Sequence, residues 1–358
     1  MSIRPIDQTR MSARVRIGCL LGVLVSLFAG CRTVPPVIED EASEPISGAR
    51  YEIEPIGEVM RFMGPEDLGA LTHVDGDLYY GLADSGGILA TLDIGIDPQS
   101  GRVTRFRCVS TNALDGVADG EGVAYDRFSK RVWVADECKN TIREYGPADG
   151  VRCREVALPV FVGRCRANLG LESLAISSDG LTLWTCNEEA MEGDGERSTA
   201  KAGSMVRLMR FRRKTPAANW TFAGSWAYRT GRLHGGAYRG MIACGVSDLC
   251  VLDDGSLLVL EREFSKSVYP RFRCRIYQVD FTGATDVSGM ASLEGAEYVP
   301  VKKRRIFVEN TGRANYEGIA LGPVLTDGSR SLLLVSDGDG PAVESIYALR
   351  LKAGKLGE

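Results

Sequence analysis

The chain has 358 residues, with 43 Lys+Arg against 47 Asp+Glu, a net charge of −4, 44% hydrophobic residues and 25% charged residues. This is ordinary globular usage and excludes disordered, collagen-like and polytopic membrane chains; with no basic footprint, it also speaks against nucleic acid as a partner. Two histidines are too few for a His-rich metal site or a histidine-relay phosphatase, and the length suits two average domains or one large all-β domain.

The first thirty residues read as an export signal. Arg10, Arg14 and Arg16 form a positive region ahead of the apolar run 17–28, a signal-peptide length that is short for a membrane span. Leu27-Phe28-Ala29-Gly30-Cys31 places small residues directly before a cysteine. This resembles the lipobox of bacterial lipoproteins, and Cys31 is then the lipidated first residue of the mature chain. Met11 is an alternative start, because residues 11–31 make a complete signal by themselves. Residues 31–50 are rich in Pro, Glu and Ser and read as a flexible tether. Arg32 stands where an Asp would favour the inner membrane, so the expected location is the bacterial cell envelope, anchored to the outer membrane. Residues 51–358 are expected to form a single monomeric domain.

Of the ten cysteines, Cys19 and Cys31 belong to the signal. An even set remains: Cys108, Cys138, Cys153, Cys165, Cys186, Cys244, Cys250 and Cys274. In an exported chain this predicts disulfides of open connectivity. No C-x-x-C occurs, which speaks against a zinc ribbon and thioredoxin-like chemistry.

The domain is repetitive. Residues 121–137 (EGVAYDRFSKRVWVADE) align without a gap on residues 172–188 (ESLAISSDGLTLWTCNE). Each copy starts with Glu, runs through an apolar strand and a polar turn to a Trp-containing strand, and ends in Asp136-Glu137 or Asn187-Glu188. Weaker copies begin at Gly69, Val246 and Asn315, and end at Asp84, Glu261 and Asp337. Each copy has a β-hairpin signature. Their spacing of about fifty to seventy-five residues signals propeller blades. With a degenerate blade placed at 265–310, the reading is an all-β, six-bladed propeller of four-stranded blades.

In such a hairpin the start of the first strand and the end of the second are neighbours, and inner strands converge on one mouth. That gathers Glu121, Glu172 and Glu317 on an inner ring, with Asp84, Asp136, Glu137, Asn187, Glu188, Glu261 and Asp337 just outside it. Carboxylates so gathered must protonate or take a cation. An all-oxygen set suits Ca²⁺. Glu121, Glu172, Glu317, Asp136, Glu188 and Asp337 are therefore the candidate ligands, and Lys139, Arg262 and Arg313 the candidate phosphate contacts. The acidic insert 191–195 is expected at the rim or as a loose calcium contact.

Gly170-Leu171-Glu172-Ser173-Leu174-Ala175 with Ser178-Asp179-Gly180, Gly245-Val246-Ser247-Asp248-Leu249 with Leu258-Val259-Leu260-Glu261-Arg262, Ile276-Tyr277-Gln278-Val279-Asp280, and Glu317-Gly318-Ile319-Ala320 with Leu333-Leu334-Val335-Ser336-Asp337 together resemble the phytase-like family, labelled "esterase-like activity of phytase". The likeness runs over about residues 55–350. It implies a propeller related to phytases that bind and hydrolyse phosphoesters with calcium, and hence a small phosphorylated substrate. The chain departs from the pattern where Gly69 and Ser247 replace Glu. Three functions stay open: a calcium-dependent phosphoester hydrolase, a metal-dependent lactonase-type hydrolase, and a non-catalytic envelope propeller binding a ligand or protein. No G-x-S-x-G elbow, H-E-x-x-H or P-loop is present.

Overall fold

A computed structural model describes residues 45–65, 67–234, 242–266, 270–311, 314–338 and 343–354. The signal, Cys31 and Arg313 lie outside the described residues.

The domain opens with β1 (Tyr51–Pro55) and β2 (Met60–Met63). Blade one is β3 (Leu68–Asp75), β4 (Leu78–Ala83), β5 (Ile88–Ile96) and β6 (Val103–Ala113). Blade two is β7 (Gly120–Asp126), β8 (Arg131–Asp136), β9 (Thr141–Tyr145) and β10 (Arg152–Glu155). Blade three is β11 (Ala175–Ile176), β12 (Thr182–Cys186), β13 (Met205–Arg212) and β14 (Thr221–Arg229). Blade four is β15 (Ile242–Val251), β16 (Leu257–Lys266), β17 (Pro270–Asp280) and β18 (Lys302–Glu309). Blade five is β19 (Tyr316–Val324), β20 (Arg330–Ser336) and β21 (Val343–Ala353), completed from the other end of the chain by β1. Tyr51 pairs with Ala353 and Pro55 with Leu349, while β2 continues along the same edge from Met60↔Ile346 to Met63↔Val343.

The blades follow from local chemistry. The first hairpin of each blade turns on a left-handed residue: Gly76, Lys130, Gly180, Gly255 and Gly328. Glycine takes that conformation without steric cost. Second strands are apolar without alternation, and β8, β12 and β20 are buried along almost their whole length. A strand packed on both faces has no polar side to present. Fourth strands such as β6 and β10 are largely exposed.

Five apolar cores lie between the blades. Leu82 and Leu89 meet Val123 and Val134 between blades one and two. Trp133 and Leu183 share the core of two and three, Trp184 and Val259 that of three and four, Ile276 and Leu334 that of four and five, and Leu333 and Leu71 that of five and one. This last core closes the ring. Trp133 pairs with Ala124 and Trp184 with Ala175, so the two tryptophans hold equivalent places on adjacent blades.

The propeller thus has five blades among the described residues, not six. The stretch 265–310 is not a blade. It holds the third and fourth strands of blade four, joined by an irregular connection over residues 281–301. That connection packs on blade three, with Val287 N–H bonded to Ser225 O and Val301 N–H to Ala227 O, both at 2.8–2.9 Å.

The expected disulfides are also absent: all eight cysteines of the domain are unpaired. Strand register explains one case. Cys244 lies opposite Glu263 and Cys274 opposite Arg262, with β16 between them. Two strand spacings of about 4.8 Å each separate their backbones, beyond disulfide reach.

A candidate metal centre at the propeller mouth

The first strand of each blade is irregular at one shared place. Pairing skips between Leu68 and Ala70, Gly120 and Gly122, Val246 and Asp248, and Tyr316 and Gly318. The skipped residues are Gly69, Glu121, Ser247 and Glu317. In blade three, Leu171 bridges Asn187 and Glu172 N–H donates to Cys186 O at 3.2 Å, which sets Glu172 at the same place. A bulge bends its strand and re-aims the extra side chain. Across each bulge the second strand exits with Asp84, Glu137, Glu188, Arg262 or Asp337. In four blades the exit N–H bonds to the carbonyl two residues before the bulge, at 2.9–3.0 Å: Asp84 to Asp67, Glu137 to Asp119, Glu188 to Gly170, and Asp337 to Asn315. Entry and exit are therefore locked together at one end of every such blade.

Three carboxylate groups result among the described residues, Asp84–Glu317–Asp337, Asp119–Glu121–Glu137 and Glu137–Glu172–Glu188, the last two sharing Glu137. Within each group, one oxygen from every residue lies within 4.8 Å of the others. Five of the six ligands expected from sequence, Glu121, Glu172, Glu317, Glu188 and Asp337, fall in these groups. Asp136 does not. Its carboxylate accepts Ala118 N–H at 3.1 Å and Lys139 N–H at 3.3 Å, holding its own loop. Lys139 sits outside the groups, with its amine on Gly116 O and 3.6 Å from Asp136. Arg262 lies inside the mouth, on Glu188 at 2.7 Å and on Glu317. In the acidic insert Met191 and Asp194 are buried while Glu192 is exposed; Asp194 pairs with Arg207, and no residue of the insert joins a carboxylate group. Glu261 is likewise buried inside blade four, bonded by Tyr228, Gly231 and Lys303.

Asp119 was missed from sequence, although the signal was present. It stands two residues before the bulge, where the other blades have Asp67, Gly170, Gly245 and Asn315. The glycines there make room: a Cβ on Gly170 would press on Glu137, and one on Gly245 on Glu188. Gly69 has the same explanation, since a Cβ there would overlap the Asp84 carboxylate.

Burial, reinforced by their neighbours' charges, lifts Asp84, Glu121 and Glu172 well above the usual carboxylate range. Burial raises Glu137 too, and it shares a hydrogen bond with Glu172. Burial pushes Glu317 up to about 8 against the opposing pull of Arg262. Glu344, across from Asp337, is likewise pushed by burial to about 8. Some oxygens remain unsatisfied. Asp84 Oδ1 and Asn315 Oδ1 are buried with no hydrogen-bond partner. Asn315 also donates to Glu317 at 2.8 Å, which places its amide beside the first carboxylate group.

These shifts set a pH dependence. A carboxyl whose folded pKa is raised binds its proton more tightly folded than unfolded, so its contribution is full below the unfolded pKa and lost as pH climbs through the folded one. With Glu317 and Glu344 moving from 4.5 to about 8, the melting temperature in chelator should fall steadily across that window. A profile flat from pH 5 to about 8 would contradict the buried, charge-crowded mouth.

No curated protein matches the sequence. Among solved structures, similar chains include a tail fibre of Staphylococcus aureus phage P68 (13% identity, 86% of this chain, TM-score 0.39) and Kuenenia stuttgartiensis hydrazine synthase (11% identity, 81% of this chain and 96% of that chain, TM-score 0.32). The chain spans 53% of the tail-fibre chain. At these scores neither carries a functional argument. The family model described as "Esterase-like activity of phytase" matches residues 66–340, well over half of the sequence: blades one to four and the first two strands of blade five. The chain belongs to the phytase-like family.

Proposed function

We propose that this propeller is a calcium-dependent phosphoester hydrolase of the cell envelope, with its site at the carboxylate mouth. The observation that carries the reading is the pair of orphaned buried oxygens, Asp84 Oδ1 and Asn315 Oδ1, beside Glu317 and Asp337. A buried acceptor without a donor costs about 1–3 kcal/mol, and a hard cation with oxygen ligands relieves it. The residues present fit such an ion: carboxylates and an amide oxygen, with no His or Cys among the groups. When bound, the ion supplies neutralisation of phosphate charge and acidification of water. Asp84, Glu317 and Asp337 would hold it, Asn315 and the entry–exit bonds would orient them, and Asp119, Glu121 and Glu137 would offer a second place.

The test is a melting curve and a phosphomonoesterase assay on the purified protein, with calcium and with chelator. Calcium at about 100 times its dissociation constant should stabilise by about 2.7 kcal/mol, a shift of about 5 °C for a domain of this size. Hydrolysis should appear only with calcium. The absence of any calcium shift would remove the reading. The envelope assignment rests on the lipobox-like sequence before Cys31: Cys31→Ser should move the protein from the membrane fraction to the soluble one and abolish lipid labelling, whereas an unlabelled wild type would reject it.

A second reading, a cation-binding propeller without catalysis, draws on one feature. Among the described residues the expected phosphate contacts are already engaged, Lys139 by Gly116 and Arg262 by two carboxylates. Calcium-dependent stability without hydrolysis would favour it.

A further inference from the structure

Blades one and four both lack the Glu at the bulge, but only blade four also lacks the exit carboxylate. The bulge position holds Ser247, whose hydroxyl turns to Leu260 O of its own blade at 3.5 Å. The exit position holds Arg262 where every other blade has a carboxylate. Arg262 occupies its place in the sheet by ordinary register, opposite Gly245 on β15 and Cys274 on β17. Its guanidinium leaves the blade on both sides: one arm reaches Glu188 of blade three at 2.7 Å and the other reaches Glu317 of blade five.

We infer that Arg262 is a built-in cation that takes the blade-four share of the mouth, so that divalent-ion binding is confined to the groups contributed by the other four blades. The inference rests on the mouth being a cation site but concerns a different property, how many ions it takes. A guanidinium is charged at every accessible pH and presents two forked donor faces, which suits it to bridge two carboxylates that no single blade could hold together. Two of the three carboxylate groups touch it: Glu188 belongs to the group with Glu137 and Glu172, and Glu317 to the group with Asp84 and Asp337. Asp119–Glu121–Glu137 is the group it does not pair with. Loss of the charge, with the stem kept, should leave Glu188 and Glu317 facing each other across a neutral Ser247 and create demand for one more ion.

The experiment titrates calcium chloride alone into wild type, Arg262→Met and Arg262→Lys, reading stoichiometry by calorimetry and melting temperature in chelator. The Met variant should bind one more calcium per chain than wild type and should melt lower in chelator, with calcium closing most of the gap. The Lys variant should keep the wild-type stoichiometry. Equal stoichiometry in wild type and Arg262→Met overturns the inference. If the Met variant is recovered unfolded, calcium in the refolding buffer should restore it, and failure to do so counts equally against the inference. A wild type that binds no calcium rejects the proposed function; the inference then still requires calcium dependence to appear in Arg262→Met, and its absence there rejects both.

Discussion

Asp84→Asn should raise the melting temperature of the calcium-free protein while removing most of the stabilisation that calcium confers. The two effects have opposite signs because no cationic side chain pairs with Asp84 among the described residues. Its Oδ1 is buried and without a hydrogen bond, and Glu121, Glu317 and Asp337 all act to raise its pKa after burial itself. The asparagine keeps the shape, drops the charge and brings an amide donor toward neighbouring carboxylates. Relief of one unsatisfied buried acceptor is worth about 1–3 kcal/mol, or about 2–6 °C at this size. A mouth built only for stability would show the reverse, a lower melting point with no change in calcium behaviour. Residues kept at a cost to stability are the mark of a functional site. The measurement is a pair of melting curves, in chelator and in saturating calcium, for wild type and variant. A variant that melts lower in chelator and retains the calcium shift would show Asp84 to be a structural acid.

How far the sequence carried this reading depended on the length scale of each signal. The hairpins were legible because each is local: an apolar strand, a turn on Gly76 or Gly180, and a second strand with its exit acid. The convergence of Glu121, Glu172 and Glu317 followed, since it needs only the repeat and radial closure. Blade number was not legible, because it depends on where a long connection packs. Residues 281–301 have the composition of a worn blade, but hydrogen bonds to Ser225 and Ala227 lay them on the outside of blade three. The individual roles of the acids were lost for a finer reason. Asp136 and Glu137 are adjacent in sequence, yet one caps backbone amides and the other faces the mouth. Alternation in a strand sends neighbours to opposite sides, and only the bulge at Glu121 decides which side meets the axis. Cysteine parity misled because it carries no geometry: β16 stands between Cys244 and Cys274.

The connection that imitates a blade is held by a buried ion pair, and breaking that pair should cost a large share of the stability of the domain. Arg207 and Asp194 have fully buried side chains and meet through two parallel bonds of 2.6 and 2.9 Å. The guanidinium lies 4.4 Å from the Phe161 ring centroid. Both partners also reach the connection, Arg207 to Val287 O at 3.4 Å and Asp194 from Leu293 N–H at 3.0 Å. The pair thus specifies where residues 281–301 dock, a task that nonpolar packing at Val287 and Leu293 would leave loosely defined. Arg207→Met keeps the stem but leaves Asp194 charged in the interior, which should cost about 3–5 kcal/mol. Arg164, 3.6 Å from the same carboxylate, supplies the nearest compensation. The double variant Arg207→Met, Asp194→Leu removes both charges and should recover most of the loss, because a buried pair contributes little net stability over apolar side chains of similar size. Denaturant unfolding of the two single variants and the double variant measures the cycle. A loss below about 1 kcal/mol in Arg207→Met, or a double variant no better than the singles, would mean that apolar contacts alone seat the connection.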